Sequence, residues 1–267
     1  MYTQPDFGAL TKRFDAPGVI AIALFGSFAR GDAGYFSDID LTRFIDGGVD
    51  APQSDAESFL IEGRLVTVHT VKAGEVEDWF TRPELAVKVI AGLRAARPLL
   101  DRAGYFDTIQ RRALAFTWDT EMQQKANRWA SREMVGWIEE ALKGLEGLRR
   151  NDIGRMLNAR FGLTWGLSQV MVVYKGHLLT SDNGIFAEVN TVAGPDSDWV
   201  RLRRTAFGIG QPDGRTPCLR EQVTAGLHLY IATAELLAPV LDPHDADMIN
   251  QTVGLIKTEI MINNPES

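Results

Sequence analysis

Apolar and polar positions divide the chain into two stretches of different period. Residues 18–25 (GVIAIALF) form an unbroken apolar run rich in β-branched and aliphatic residues, the composition of a strand buried on both faces. Asp38–Ile45 (DIDLTRFI) alternates polar and apolar and predicts a second strand. Ser58–Ile61 and Arg64–Val71, separated by Glu62-Gly63, predict a hairpin. A short helix is expected over 6–15, and the polar stretch 47–58 (GGVDAPQSDAES) reads as a turn-rich connection. From Gly74 to Asp101 the pattern is mostly helical, punctuated by Pro83 and Pro98.

Beyond about Tyr105 the strand pattern disappears. Helices are predicted within 107–150 and over 153–175, 182–193, 197–208, 217–240 and 243–262. Met134, Trp137, Ile138, Ala141, Leu142, Leu145 and Leu148 recur at the i, i+3, i+4, i+7 spacing of one helical stripe. The prediction is an α+β chain: a small mixed α/β unit over 1–105, then an α-helical bundle over 106–267. No internal repeat or low-complexity tract interrupts it.

Composition narrows the classes little. The 267 residues are 45% hydrophobic and 24% charged, enough apolar content for one large or two modest cores. No run reads as a membrane span and the N-terminus lacks a signal-peptide layout, so a cytoplasmic protein without a membrane partner is expected. The net charge of −7, with no basic stripe, argues against a nucleic-acid partner and for ordinary solubility charge. One cysteine, Cys218, excludes an internal disulfide and is expected to be buried or inert. Trp118, Trp129, Trp137 and Trp165 are expected in the core. Asp196 and Asp198 are expected to cap a helix, and His177 and Lys175 to be structural.

The chemistry concentrates in Gly26–Leu41, GSFARGDAGYFSDIDL. Asp38 and Asp40 at i and i+2 on a strand point to one face, about 7 Å apart along the chain at ~3.3 Å rise per residue. Such a pair repels, and a divalent hard cation removes the penalty by binding both. Mg²⁺ prefers few carboxylates plus water and phosphate oxygens. Gly26 admits a close ligand, Ser27 offers a hydroxyl and an amide at the start of a helical turn, and Arg30 can pair with phosphate.

On these residues, Gly26-Ser27 through Arg30 to Ser37-Asp38-Ile39-Asp40, the chain resembles the DNA polymerase β-like nucleotidyltransferase superfamily, and within it the kanamycin (aminoglycoside) and lincosamide nucleotidyltransferases. Residues 97–110 and 137–152 extend the resemblance, which covers roughly 18–152. It implies a nucleotidyltransferase sheet followed by a helical substrate-binding and dimerisation domain. It also implies ATP (or another nucleoside triphosphate) as co-substrate, with Mg²⁺ on Asp38 and Asp40. Gly26, Ser27, Arg30 and Ser37 would form the nucleotide site, and a small-molecule hydroxyl would accept the nucleoside monophosphate. Glu139 and Glu140 match an acidic pair facing the acceptor. The general base would fall near Lys143 without a gap, or at Glu146 with one residue of slippage. A homodimer is implied by the same resemblance.

The pattern departs from the family where a following strand usually carries a third acid. Here RLVTVHTV (64–71) places Thr67 at that position and His69 next on the same face. His69 is expected to hydrogen-bond locally. This departure motivates one alternative to a small-molecule transferase, a catalytically weak or silent nucleotide-binding regulatory protein; a protein-adenylylating, antitoxin-type enzyme is the other alternative that the resemblance implies.

Overall fold

The structure is a computed structural model that describes residues 5–46, 56–210 and 214–263. The connection expected over 47–58 lies mostly outside the described residues. The chain forms two compact units. The first comprises 1–118 together with 178–182, and the second comprises 119–177 and 183–267. Helix α5 (Tyr105–Ala115), just past the expected boundary at 105/106, packs within the first unit. Arg94 explains the attachment, since its guanidinium donates to the carbonyls of Ala113 and Phe116 at 2.8 Å each.

The first unit is a five-stranded mixed sheet in the order β3-β4-β2-β1-β5. Its strands are β1 (Val19–Phe25), β2 (Ile39–Ile45), β3 (Ala56–Ile61), β4 (Arg64–Lys72) and β5 (Arg97–Asp101). Only β2 and β4 run parallel; the other neighbours are antiparallel. The β3–β4 hairpin turns as predicted, with Glu62 at φ 52° and Gly63 at φ 78°, the left-handed geometry of a two-residue turn. Strand β5 was expected to be helical. It stands at the sheet edge, where Pro98, lacking an amide hydrogen, is tolerated.

Alternation along the strands gives the sheet two covered faces. Ile22, Leu24, Ile39, Leu41, Ile45, Val66 and Val68 share a core with Leu10 and Phe14 of α1 (Phe7–Phe14). Asp6 opens that helix by accepting from the Ala9 amide at 3.0 Å. On the other face Phe44 packs against Trp79, Tyr105 and Phe106. There Gly92 of α4 (Pro83–Ala95) lies against Phe25. The short helix α2 (Gly26–Arg30) follows β1 directly, and α3 (Asp78–Thr81) precedes α4.

The second unit is all helical: α6 (Thr120–Gly136), α7 (Ile138–Arg150), α8 (Ile153–Tyr174), α9 (Ile185–Ala193), α10 (Asp198–Ala206), α11 (Leu219–Leu237) and α12 (Pro243–Asn263). Helices α8 and α11 carry the largest buried faces. Asn151 at φ 53° ends α7 and Asp152 caps α8, so the two form a tight antiparallel hairpin. Small residues let them approach: Gly144 lies against Ala159, and a Cβ on Gly166 would stand 2.1 Å from the Trp137 ring.

Several expectations about individual residues are corrected. Leu142 is exposed, because Ala141, Gly144, Gly147 and Leu148 form the buried face of α7. Trp118, Trp129 and Trp137 are half-buried and Trp165 is 42% exposed; Trp199 is the deeply buried tryptophan, donating to Thr233. Ser197, rather than either neighbouring aspartate, caps α10. Cys218 is exposed at the start of α11. One helical stretch, Leu219–Val240, is long and apolar enough to cross a membrane, but more than half of its apolar window is buried in the unit, as in a core helix. His177 pairs with Glu188 at 2.8 Å, consistent with a structural role.

Candidate active site

Strand β1 ends at Phe25, whose partner across the sheet is Asp40 near the start of β2. The next residue, Gly26, turns the chain into α2 with φ +64°, a conformation that L side chains rarely adopt. A Cβ there would lie 2.1 Å from Oδ2 of Asp40. Glycine is thus required twice, by conformation and by space, and the Asp40 carboxylate occupies the room that its missing side chain leaves. This contact joins the two halves of the motif, Gly-Ser and the acid pair, at one place.

Asp40 is half-buried and makes no hydrogen bond or ion pair among the described residues. Burial pushes its pKa above the ordinary carboxylate value, and the negative charge of Asp38 adds to the rise. His69 and Arg30 oppose it, and the charge of Asp182 pushes it up further. Asp38 precedes β2, which begins at Ile39, so the strand alternation expected to align the two carboxylates governs only Asp40. The environment of Asp40 still brings Asp38, Arg30 and His69 to bear on one acid.

The phosphate-side candidates are partly engaged. Helix α2 has no side-chain cap at its N-terminus, and the Ser27 hydroxyl makes no hydrogen bond among the described residues. The Arg30 Nε donates to Asp32 at 3.2 Å, while its terminal nitrogens make no hydrogen bond among those residues. Ser37 plays a visible structural part: its hydroxyl oxygen accepts from the Gly34 amide at 2.8 Å, closing the loop before Asp38. Tyr35 and Phe36 project from that loop, with Phe36 94% exposed. Their rings pack edge to face on each other with centroids 4.8 Å apart, an exposure that no local sequence pattern announces.

Parallel pairing of β2 with β4 sets Thr67 directly beside Asp40, and His69 beside Thr42. The strand position next to the acid therefore carries a hydroxyl. His69 is exposed and makes no hydrogen bond among the described residues, contrary to the expected local bond. No group of three His, Cys, Asp or Glu residues among those described is arranged to hold a metal ion. Two carboxylates remain as donors, a set that suits a hard cation completing its shell with water and triphosphate oxygens.

Glu139 and Glu140 belong to the second unit. Glu139 is exposed and bonded to Lys143 at 2.8 Å, which holds its pKa below the usual value. Glu140 Oε1 also accepts from Lys143 at 2.8 Å, while Oε2 is buried without a hydrogen-bond partner. Its stem lies over Gly162 of α8, where a Cβ would come within 2.7 Å. Glu146, the alternative base, pairs with Arg149 and Arg150.

Residues 9–98 match the family model described as "Nucleotidyltransferase domain", and this span contains the Gly26–Asp40 arrangement. The first unit carries a nucleotidyltransferase domain of the DNA polymerase β-like superfamily. Such a domain supports nucleotidyl transfer as the general class of chemistry. A solved nucleotidyltransferase-like protein from Exiguobacterium sibiricum 255-15 is similar at 14% identity and a TM-score of 0.49, over 96% of this chain and 80% of that one. No curated protein matches the sequence.

Proposed function

We propose that this nucleotidyltransferase transfers a nucleoside monophosphate, AMP from ATP, to a hydroxyl of a small molecule such as an aminoglycoside or a lincosamide. The observation that carries the reading is the Asp40 carboxylate seated over Gly26, unpaired and held at raised pKa beside Asp38 and an uncapped, hydroxyl-bearing turn. A protein keeps such an under-satisfied acid where a ligand will satisfy it. Asp38 and Asp40 would hold Mg²⁺, which neutralises triphosphate charge when bound. Ser27, the α2 amides and Arg30 would orient the phosphates.

The acceptor hydroxyl oxygen attacks the α-phosphorus while its proton passes to a carboxylate acting as general base, the bond from the α-phosphorus to the α–β bridging oxygen breaks, and pyrophosphate leaves with that electron pair. On the second unit, Glu140 and Glu139 are the proposed acceptor-binding acids, and their charge suits a cationic acceptor. Cytoplasmic location and homodimerisation are proposals of the same reading.

The test is pyrophosphate release from Mg-ATP against a panel of aminoglycosides and lincosamides, with the Asp38→Ala and Asp40→Ala variants alongside. Acceptor-dependent release lost in both variants supports transfer. The hydroxyl of Thr67, standing beside Asp40 in place of an acid, favours the second reading, a catalytically weak or silent nucleotide-binding protein. Tight Mg-ATP binding with no transfer to any acceptor selects it. Labelling of a partner protein with AMP, and of no small molecule, selects the antitoxin-type alternative.

A further inference from the structure

A helix that is apolar on every side is ordinarily covered on every side. Helix α8 departs from this. Its inner face packs Met156, Ala159, Leu163, Leu167 and Val170 into the second unit. Its outer face carries Ile153, Leu157, Phe161 and Trp165, which are 61%, 43%, 63% and 42% exposed. These four recur at strict i+4 spacing and form one ridge, about 18 Å long at ~1.5 Å rise per residue. One end of the ridge is held in place. Trp165 stands edge to face on Phe207, at the end of α10, with centroids 5.2 Å apart, and Phe207 stands likewise on Phe186 at 5.5 Å. A side chain fixed in advance loses little rotamer freedom when it is covered.

The form of the ridge suits a second copy of this chain. In the commonest class of helix packing, i+4 ridges of both helices interdigitate at a crossing of about 50°, so such a ridge can pack on its own copy. A two-fold axis through the middle of the ridge, near Ala159, runs the two copies antiparallel. It sets Leu157 of one copy against Phe161 of the other, and Ile153 against Trp165, each aliphatic side chain meeting an aromatic one. Charge does not oppose the meeting. Arg155, the exposed charged residue between Ile153 and Trp165, pairs with Asp152 at 3.1 Å. Arg160 is turned aside and donates to Gln222 at 2.9 Å. Since a fully buried aromatic side chain removes ~150–250 Å² from water, the exposed parts of the four offer roughly 400 Å² per copy. A standard interface takes ~800 Å² per partner, so the ridge supplies the apolar centre of a dimer, with a polar rim that includes Asn158.

We infer that the α8 ridge is a two-fold interface between copies of this chain, α8 packing on α8. The inference deepens the homodimerisation proposed above and rests on that part of the reading.

The experiment is sedimentation equilibrium of the full chain, at concentrations spanning the micromolar range, for wild type, Leu157→Glu and Phe161→Glu. Both positions are exposed, so thermal melts of the dilute variants should match wild type. Wild type is expected to form a reversible dimer. Each glutamate, a charge forced into an apolar centre, is expected to weaken association at least ~100-fold. A second readout uses Asn158→Cys in a Cys218→Ser background. Residue 158 is exposed and lies beside the axis, so a short bismaleimide should link it to its own copy, whereas Gln251→Cys on the exposed side of α12 should not link. A monomeric wild type overturns the inference and the homodimerisation together. A dimer that both glutamates leave intact overturns the α8 interface and leaves homodimerisation through another face standing. Dissociation by the glutamates without a link at 158 overturns the antiparallel register. Neither readout uses nucleotide, so a failure of transfer is told apart from a failure of the interface.

Discussion

Asp40 in the first unit and Arg203 in the second are both ionisable groups withdrawn from water, and the protein treats them in opposite ways. Arg203 is fully buried without a carboxylate partner, and its pKa is lowered by burial to about 10. It is nevertheless largely bonded, and only its Nη2 lacks a hydrogen-bond partner among the described residues. Its Nε donates to Ser168 at 2.7 Å, its Nη1 to the Phe186 carbonyl and Asn190, and the Phe186 and Phe207 rings lie 4.6 and 5.0 Å from its centre. Asp40 is less buried, its carboxylate has no hydrogen bond among the described residues, and it feels the like charges of Asp38 and Asp182 against the opposing ones of His69 and Arg30. One charge is a bolt between helices α8, α9 and α10, while the other is left waiting. The contrast teaches that burial alone does not mark where chemistry occurs: the more buried Arg203 spends most of its donors on protein atoms, whereas no side chain or amide among the described residues bonds the Asp40 carboxylate.

Substitutions can break this comparison, and the largest effect belongs to Asp40. If it is an open ligand, Asp40→Ala should lower turnover by at least ~10³-fold, roughly 4 kcal/mol of transition-state stabilisation, in the pyrophosphate assay. Thermal melting should change little. Arg203→Leu should do the reverse. It should destabilise the second unit by about 3 kcal/mol in urea unfolding, because it leaves Ser168, Asn190 and the Phe186 carbonyl without their donor. Equal loss of activity and stability in both variants would erase the distinction.

Gly26→Ala comes next. The left-handed backbone alone costs ~1 kcal/mol, and the new methyl must displace the Asp40 carboxylate. Nucleotide affinity, measured by titration calorimetry, should fall further than stability does. Smaller still is the effect of pH on the empty site. Asp40 has a raised native pKa, so the native state holds its proton longer than the unfolded chain does. Stability is therefore present below the unfolded value of 3.8 and declines as pH rises through the native value. Without nucleotide, Asp40→Asn should flatten that decline in melts above pH 4.

Glu221 offers the opposite sign. Hydrogen bonds from Arg215 and from the Cys218 amide lower its pKa to about 2. Its contribution is complete above about 4.5 and fades as pH falls toward about 2. Glu221→Gln should therefore make acid unfolding less steep.

Much of this architecture is legible in the residues because it is set by local signals. The apolar run at 18–25, the Glu62-Gly63 turn and the helical stripes each report their own element. Strand β5 escaped because Arg97-Pro98 carries no strand alternation and its place depends on pairing with β1 from far away. The stripe over α7 gave the helix but not its buried side, which Gly144 and Gly147 decide by close packing on α8. Within the site, Gly26, Ser27, Arg30 and Asp40 were legible since one short motif holds them. The fastening of Leu179 to α4 was not, because no local pattern in LLTSDNG announces it.

That fastening also bears on how the protein is made. A ribosome that has released the chain only as far as Trp118 has delivered every strand of the first unit, but not the piece that completes it. The hydrogen bond from Leu179 to Val87 can form only after α6, α7 and α8 have been synthesised. Completion of the first unit during translation is thereby tied to the arrival of sequence more than halfway along the chain.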